Sequence, residues 1–277
     1  MAEKTKIWWT NSTFNPWMGC TAVSPGCAKC YAERQNRFFR WVPDGWGPGK
    51  QRRRTTGAYW KQARTWDRKA AETGERPRVF CGSLMDWLDP EVPPQWRRDL
   101  LDLVGETPHL VWQKLTKRPE LWRRLVGEAA DQGSAFAARW LDGQAPPNVW
   151  VGATVEDQRR AVERIPQLLE IPAETRFLSV EPLLEPVAPD LRGIDLVICG
   201  GESGGGARPC DIAWIRDLRD RCRDAGVPFF MKQCGRRPME NGRPLEMKHD
   251  HGGDWDEWPA DLRVRELPNA VNQVEVA

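Results

Sequence analysis

No stretch of the sequence approaches the roughly 18 apolar residues that a membrane-spanning helix needs, and the opening run MAEKTKIWW lacks the apolar core of a secretory signal. A cytoplasmic protein with no membrane partner is expected. An excess of one charge is also missing. The 41 Lys and Arg face 39 Asp and Glu, so overall charge selects neither nucleic acid nor an anionic surface. Histidine is scarce, at three residues, and eight cysteines in 277 residues are too dilute for a disulfide scaffold. A reducing compartment would keep most of them as thiols or metal ligands. Tyrosine is nearly absent, at two against sixteen tryptophans, a bias that composition does not explain.

From residue 78 onward, short β-branched and aromatic runs alternate with amphipathic segments. Strands are predicted at Arg78–Gly82, Leu110–Leu115, Val149–Ala153, Arg176–Val180, Asp195–Cys199 and Pro228–Lys232, with an earlier one near Ile7–Thr10. Helices are predicted in PPQWRRDLLDLVGET, RPELWRRLVGEAA, DQRRAVERIPQLLEI and DIAWIRDLRDRCRDAG. In the last, Ile212, Ile215, Leu218 and Cys222 form a stripe on one face. Nearly continuous apolar strands are expected where helices cover both sides of a parallel sheet. The expected fold is therefore α/β, a full or partial TIM-like (β/α) barrel over residues 1–235, with an open doubly wound sheet as the alternative. The polar runs GSLMD, LTKRP, TVED, SVEP and GGESGGGARP each follow a strand, at the carboxyl edge where such folds build sites.

Two segments break the rhythm. Residues 34–69 carry eleven Lys and Arg against Asp44 and Asp67, interleaved with Phe38, Phe39, Trp41, Trp46, Tyr59, Trp60 and Trp66. This basic, Trp-rich insertion reads either as a surface segment anchored by its rings or as a grip on nucleic acid, with cations for phosphates and rings for bases. Tyr31 to Arg40, directly after the last of the cysteines at 20, 27 and 30 and overlapping the segment's start, are expected to be helical. Residues 236–277 are expected to form an irregular extension or small hairpin that packs Trp255 and Trp258.

Chemistry concentrates in GCTAVSPGCAKCY, where Cys20, Cys27 and Cys30 have the spacing C-x6-C-x2-C and Gly19, Pro25 and Gly26 turn the chain. Three thiolates on one centre fit a zinc site completed by a remote Cys or His. They also fit a 4Fe-4S cluster with one iron left open. None of the histidines lies at zinc-finger spacing.

The run WWTNSTFNPWMGCTAVSPGCAKCYAER, followed by LTKRPE, VGATVEDQ, SVEPLL, GGESGGGARP and FFMKQCG, resembles a family of bacterial and phage three-Cys-motif proteins regarded as radical-S-adenosylmethionine-like. The resemblance spans roughly residues 7–235. It implies a radical-SAM-like barrel, a 4Fe-4S cluster on Cys20, Cys27 and Cys30, and S-adenosylmethionine on the open iron. The first gap here is six residues, against the three that are common among radical-S-adenosylmethionine enzymes, and Tyr31 follows the last cysteine.

On that reading, Asp86 in GSLMD is expected to meet the cofactor's amino group. Lys114, Thr116 and Lys117 would meet its carboxylate or a substrate phosphate, and Thr154 and Glu156 its ribose. Gly200 and Gly201 would allow close backbone approach, with Glu202, Ser203 and Arg208 adding polar contacts. Glu181 after RFLSV and Lys232 at the last strand's end are the expected catalytic pair, since a buried lysine there needs a carboxylate such as Glu181 or Glu202. Cys81, Cys199 and Cys234 are expected to be core or rim residues, and Cys210 and Cys222 packing residues. The expected function is radical chemistry through a 5′-deoxyadenosyl radical on a nucleic-acid or nucleotide substrate, such as base modification or repair. An electron-donor protein is implied, and a further partner protein stays open. The alternative is a non-catalytic nucleic-acid-binding or partner protein stapled by zinc or an Fe-S cluster.

Overall fold

The computed structural model describes residues 5–268, and the chain forms two compact units. The first takes residues to Val23, Ala32–Gly152 and Gln167–Glu174; the second takes Ser24–Tyr31, Ala153–Pro166 and the chain from Thr175.

In the first unit, β1 (Ser12–Phe14), β2 (Arg78–Cys81), β3 (Val111–Thr116) and β4 (Val149–Thr154) lie side by side in chain order. The β1–β2 and β2–β3 pairs are parallel, and their register sets Phe14 beside Cys81 and Cys81 beside Lys114. The second unit continues from the end of β4 with β5 (Thr175–Val180), β6 (Leu196–Gly200) and β7 (Phe229–Gln233), again in chain order, with β5–β6 and β6–β7 parallel. A doubly wound sheet reverses its strand order at a switch point; this sheet does not, so its topology is that of a partial (β/α) barrel. The first strand lies a few residues later than the sequence suggests. The backbone turns at Thr10, whose amide donates to Ile7, and Asn11 pairs with Arg78, so pairing starts only at Ser12.

The helices are α1 (Tyr31–Phe39), α2 (Gly57–Thr73), α3 (Pro94–Gly105), α4 (Trp122–Asp131), α5 (Ala135–Leu141), α6 (Gln158–Leu169) and α7 (Ile212–Ala225). The α2 helix takes up the later part of the basic, Trp-rich segment, from Gly57 onward. The Thr56 side chain caps its start, accepting from the Tyr59 amide, and Gly74 at φ 74° ends it. Tyr59, Trp60, Ala63, Trp66 and Ala70 are buried at helical spacing, while Lys61, Arg64 and Arg68 point outward. Tyr59 stacks on Phe14 at 4.9 Å, and Trp60, Trp66 and Trp112 meet the same ring edge-on. Elsewhere in this unit Trp87 stacks on Trp140 at 5.9 Å and Trp122 meets Trp140 edge-on. Much of the tryptophan excess is therefore core packing in the first unit.

In the second unit the apolar stripe of α7 is buried as expected, with Asp211 capping one end and Gly226 at φ 68° the other. Residues from 236 belong to this unit. Pro238–Glu240 pairs with Arg243–Pro244 as a hairpin and with Cys210–Asp211 in parallel. Trp258 is buried beside Trp255, its indole N–H donating to the Gly252 carbonyl at 2.7 Å. The expected extension's residues 269–277 lie outside the described residues.

Candidate functional site

In the first unit, two strand-end motifs meet at Cys20. The backbone of Cys20 is locked against the 45–47 loop, its amide donating to Gly45 and its carbonyl accepting from Gly47. Its Sγ lies 3.7 and 3.8 Å from the two terminal nitrogens of Arg118, in LTKRP. Arg118 in turn pairs with Asp86, in GSLMD, at 2.8 Å and donates to the Thr21 carbonyl. Asp86 is saturated by protein donors: Thr116 Oγ1 and the Leu88 amide on one oxygen, the Lys117 amide and Arg118 on the other. Asp86 and Thr116, both expected at a cofactor, also hold Arg118 in place beside the Cys20 loop. Burial, then the Asp86 charge, push the Cys20 thiol up to about 12, against the opposing pull of Arg118. Burial works against the charge of Arg118, yet Asp86 and Cys20 hold its pKa above the ordinary value.

A second buried arginine completes this corner. Arg52 pairs with Asp89 at 2.7 Å, donates to Thr21 Oγ1 and binds the Gly45 and Lys50 carbonyls. Sequence reasoning missed Arg52, because its charge merged with the RRR run; burial, not spacing, distinguishes it.

In the second unit, Cys27 and Cys30 sit on a loop clamped from two sides. Glu156, in TVED, is fully buried and accepts on Oε1 from the Ser24 hydroxyl and, at 3.0 Å, from the Gly26 amide. Its Oε2 pairs with Arg164 of α6 at 2.7 Å, and Arg164 also donates to the Thr154 carbonyl. Glu156, expected near a ribose, is thus bonded to the cysteine loop through Ser24 and Gly26. A Cβ on Gly26 would sit 2.9 Å from Glu156 Oε1, so the turn admits glycine there. Arg164 was missed, although it falls between Ala161, Ile165 and Leu168 on the apolar stripe of α6, a position that signals a buried charge.

The glycine-rich run holds the other side. Arg208 donates to the Pro25 carbonyl at 3.0 Å and grips Glu202 through Nε and Nη2, and the Gly206 carbonyl accepts from Lys29. Burial opposes the Glu202 charge, but these Arg208 bonds hold its carboxyl below the usual range. Thr154 and Gly200–Gly201 are buried, and Ser203 is half-buried.

Glu181 and Lys232 form the anticipated pair, Nζ to Oε1 at 2.7 Å, both partly accessible. A Cβ on Gly200 would fall 2.7 Å from that same oxygen. Lys114 is not at the sheet's edge. It is fully buried beside Cys81, at 3.9 Å, with Trp87 and Trp112 rings at 5.3 and 5.8 Å, and burial lowers its pKa. Its β3 position faces the aromatic core. Lys117 is half-buried.

Cys20, Cys27 and Cys30 are half-buried thiols, whereas Cys81, Cys199, Cys210, Cys222 and Cys234 are fully enclosed. Each of the three, taken singly, has the donor type and the access that a soft metal selects. Among the described residues no group of three or more His, Cys, Asp or Glu side chains is arranged to hold a metal ion. A cleft of about 350 Å³ beside α2 and α3, lined by Arg54, Trp60, Arg64, Asp99 and Glu106 among others, contains none of the expected site residues. Among the described residues no helix is long and apolar enough to cross a membrane.

Neither the curated proteins nor the solved structures contain a match to this chain. Residues 4–259 match the family described as Protein of unknown function (DUF5131), and the chain belongs to that family.

Proposed function

We propose that the chain is a radical S-adenosylmethionine enzyme that holds a 4Fe-4S cluster on Cys20, Cys27 and Cys30 and acts on a nucleic-acid or nucleotide substrate. The observation that carries this reading is that four separate strand-end motifs are committed to one eleven-residue cysteine run. GSLMD and LTKRP position Cys20 through Asp86 and Arg118. TVED and GGESGGGARP clamp the Cys27–Cys30 loop through Glu156 and Arg208. A packing cysteine needs no such support.

When bound, the cluster with S-adenosylmethionine supplies one-electron reductive cleavage of the sulfonium. The chain's own residues have narrower tasks. Arg118 offers N–H donors to the Cys20 sulfur, the kind of contact that tunes a thiolate ligand. The three cysteines must lose protons to bind metal, and Arg118 offsets part of the burial that keeps Cys20 protonated. Glu181 and Lys232, partly accessible and paired, are the groups able to exchange their mutual contact for one with a bound molecule.

The test is anaerobic reconstitution followed by iron, sulfide and zinc analysis, spin-resonance spectra with and without S-adenosylmethionine, and an assay for 5′-deoxyadenosine. The C20A/C27A/C30A variant is the control. About four irons per chain, a spectrum altered by the cofactor and deoxyadenosine absent from the variant support the reading. One zinc per chain with no cofactor effect replaces it with a metal-stapled binding protein.

A further inference from the structure

The structure divides the basic, aromatic segment 34–69 into two parts of different character. Its later rings, Tyr59, Trp60 and Trp66, are core. Several of its cations are also engaged: Arg52 is buried on Asp89, Arg54 pairs with Asp99 and Arg64 with Glu106. The α1 helix is different. Its buried residues are Ala32 and Asn36, and Asn36 fixes it through a reciprocal pair of 2.8 Å bonds with the Val42 backbone. Its C-terminal end presents Phe38 at 81% and Phe39 at 56% exposure. Phe38 meets Phe39 edge-on at 4.9 Å, and Phe39 lies flat on Trp41, also at 4.9 Å and 10° between planes.

Resting on the nucleic-acid part of the function proposed above, we propose that this ring stack is a platform for the unpaired bases of single-stranded nucleic acid. Large rings this exposed on a fixed helix are costly in water unless something covers them. Charge selects what covers them. Arg34, Arg37 and Arg40 flank the rings and are exposed, and among the described residues neither Arg34 nor Arg40 has an ion-pair partner. The helix's one acidic residue, Glu33, is held by Arg37 at 2.6 Å. Flat rings that accept bases beside cations that track phosphates are the arrangement by which single strands are gripped without sequence preference. An apolar protein partner would leave the arginines unmatched. The helix begins at the residue after Cys30, so a strand bound here would be held close in sequence to the cysteine run.

The experiment is fluorescence-anisotropy titration of the full chain with a labelled oligothymidylate, its abasic counterpart, a blunt duplex of equal length and vesicles of phosphatidylserine and phosphatidylcholine. Wild-type protein should prefer the single strand, bind the abasic strand at least roughly ten-fold more weakly, and show an affinity that falls with salt at a log–log slope of about 2 to 3. F38A/F39A should lose about ten-fold or more in affinity for the oligothymidylate and little for the abasic strand, with F38W/F39W restoring it. Both pairs of changes are at exposed positions, so a circular-dichroism melt should show them folded. Unchanged oligothymidylate affinity in F38A/F39A overturns the platform while leaving a nucleic-acid substrate standing. Absence of single-strand binding by the wild type overturns both, and leaves the deoxyadenosine assay to judge the radical chemistry separately. Vesicle binding without strand binding, or self-association abolished by F38A/F39A, also overturns the proposal, naming a membrane or a second copy as the occupant.

Discussion

Glu156 reaches the Gly26 amide at 3.0 Å from a position 130 residues further along the chain, and the same oxygen takes the Ser24 hydroxyl. A buried carboxylate is costly unless each oxygen is satisfied and its charge paired, and Arg164 supplies the pairing. The turn between Ser24 and Cys27 thus takes its geometry from the end of β4 and the face of α6. Short loops bearing reactive thiols gain precision from such support, because their own backbone contacts are few.

Removing that carboxylate leaves Arg164 buried without its partner, so Glu156→Gln should cost about 3–5 kcal/mol in urea unfolding. Global destabilisation is only half of the expectation. Under native conditions the Gly26 amide should exchange with solvent faster in the variant than amides in the stripe of α7, which a uniform loss of stability would not produce. Hydrogen-exchange mass spectrometry on the 20–30 peptide checks this, and equal acceleration in both peptides would refute the anchoring role.

Cys20 should be slow to label even though it is half-buried where five other cysteines are enclosed. With its pKa pushed up to about 12, its thiolate fraction at pH 8 is roughly a thousand-fold below that of an ordinary cysteine, so iodoacetamide should label it slowly despite its access. The sign is that of a raised acid. The contribution to stability is complete below the unfolded-state value, near 9.0, and falls away as pH rises through the folded one. Labelling rates for Cys20 read by peptide mass, with Arg118→Met slowing it further, test the assignment.

Much of the architecture was legible because the strands are runs of β-branched and aromatic residues ended by polar loops; Arg78–Cys81 and Thr175–Val180 lie within a residue or so of their expected bounds. The Glu181–Lys232 pair was legible too, since a lysine at a strand end demands a carboxylate. The α2 helix was not. Its buried rings are outnumbered by outward Lys and Arg, and local charge masked a helical stripe that packs on Phe14, distant in sequence. The protein partners of Asp86 and Glu156 were not legible for a related reason. A sequence shows that a carboxylate follows a strand, but whether it faces solvent, a ligand or another loop depends on partners such as Arg118 and Ser24.

Glu202 should make the second unit acid-sensitive. Although burial opposes its charge, Arg208 holds its pKa below the ordinary value, so its contribution to stability is present above the unfolded-state pKa and is lost as pH falls through the lower folded value. Glu202→Gln should therefore be less stable than wild type at pH 7, and the gap should close in acid. Melting curves at several pH values would show it; a gap that persists unchanged at pH 3 would exclude ionisation as its source.

Two adjacent glycines separate function from folding. At Gly200 an added Cβ meets the far end of the Glu181 side chain, 2.7 Å from Oε1, which can swing away. At Gly201 it meets the Cys234 carbonyl at 2.3 Å, backbone that cannot yield without moving β7's exit. Gly201→Ala should therefore cost about 1–3 kcal/mol, the usual range for overpacking. Gly200→Ala should stay within about 1 kcal/mol of wild type, because the Glu181–Lys232 pair it disturbs is partly accessible and such pairs contribute little. If that pair handles the bound molecule, Gly200→Ala should lose turnover while keeping its fold and its iron, and Lys232→Met should match it. A Gly200→Ala protein with wild-type turnover would remove Glu181 and Lys232 from the chemistry.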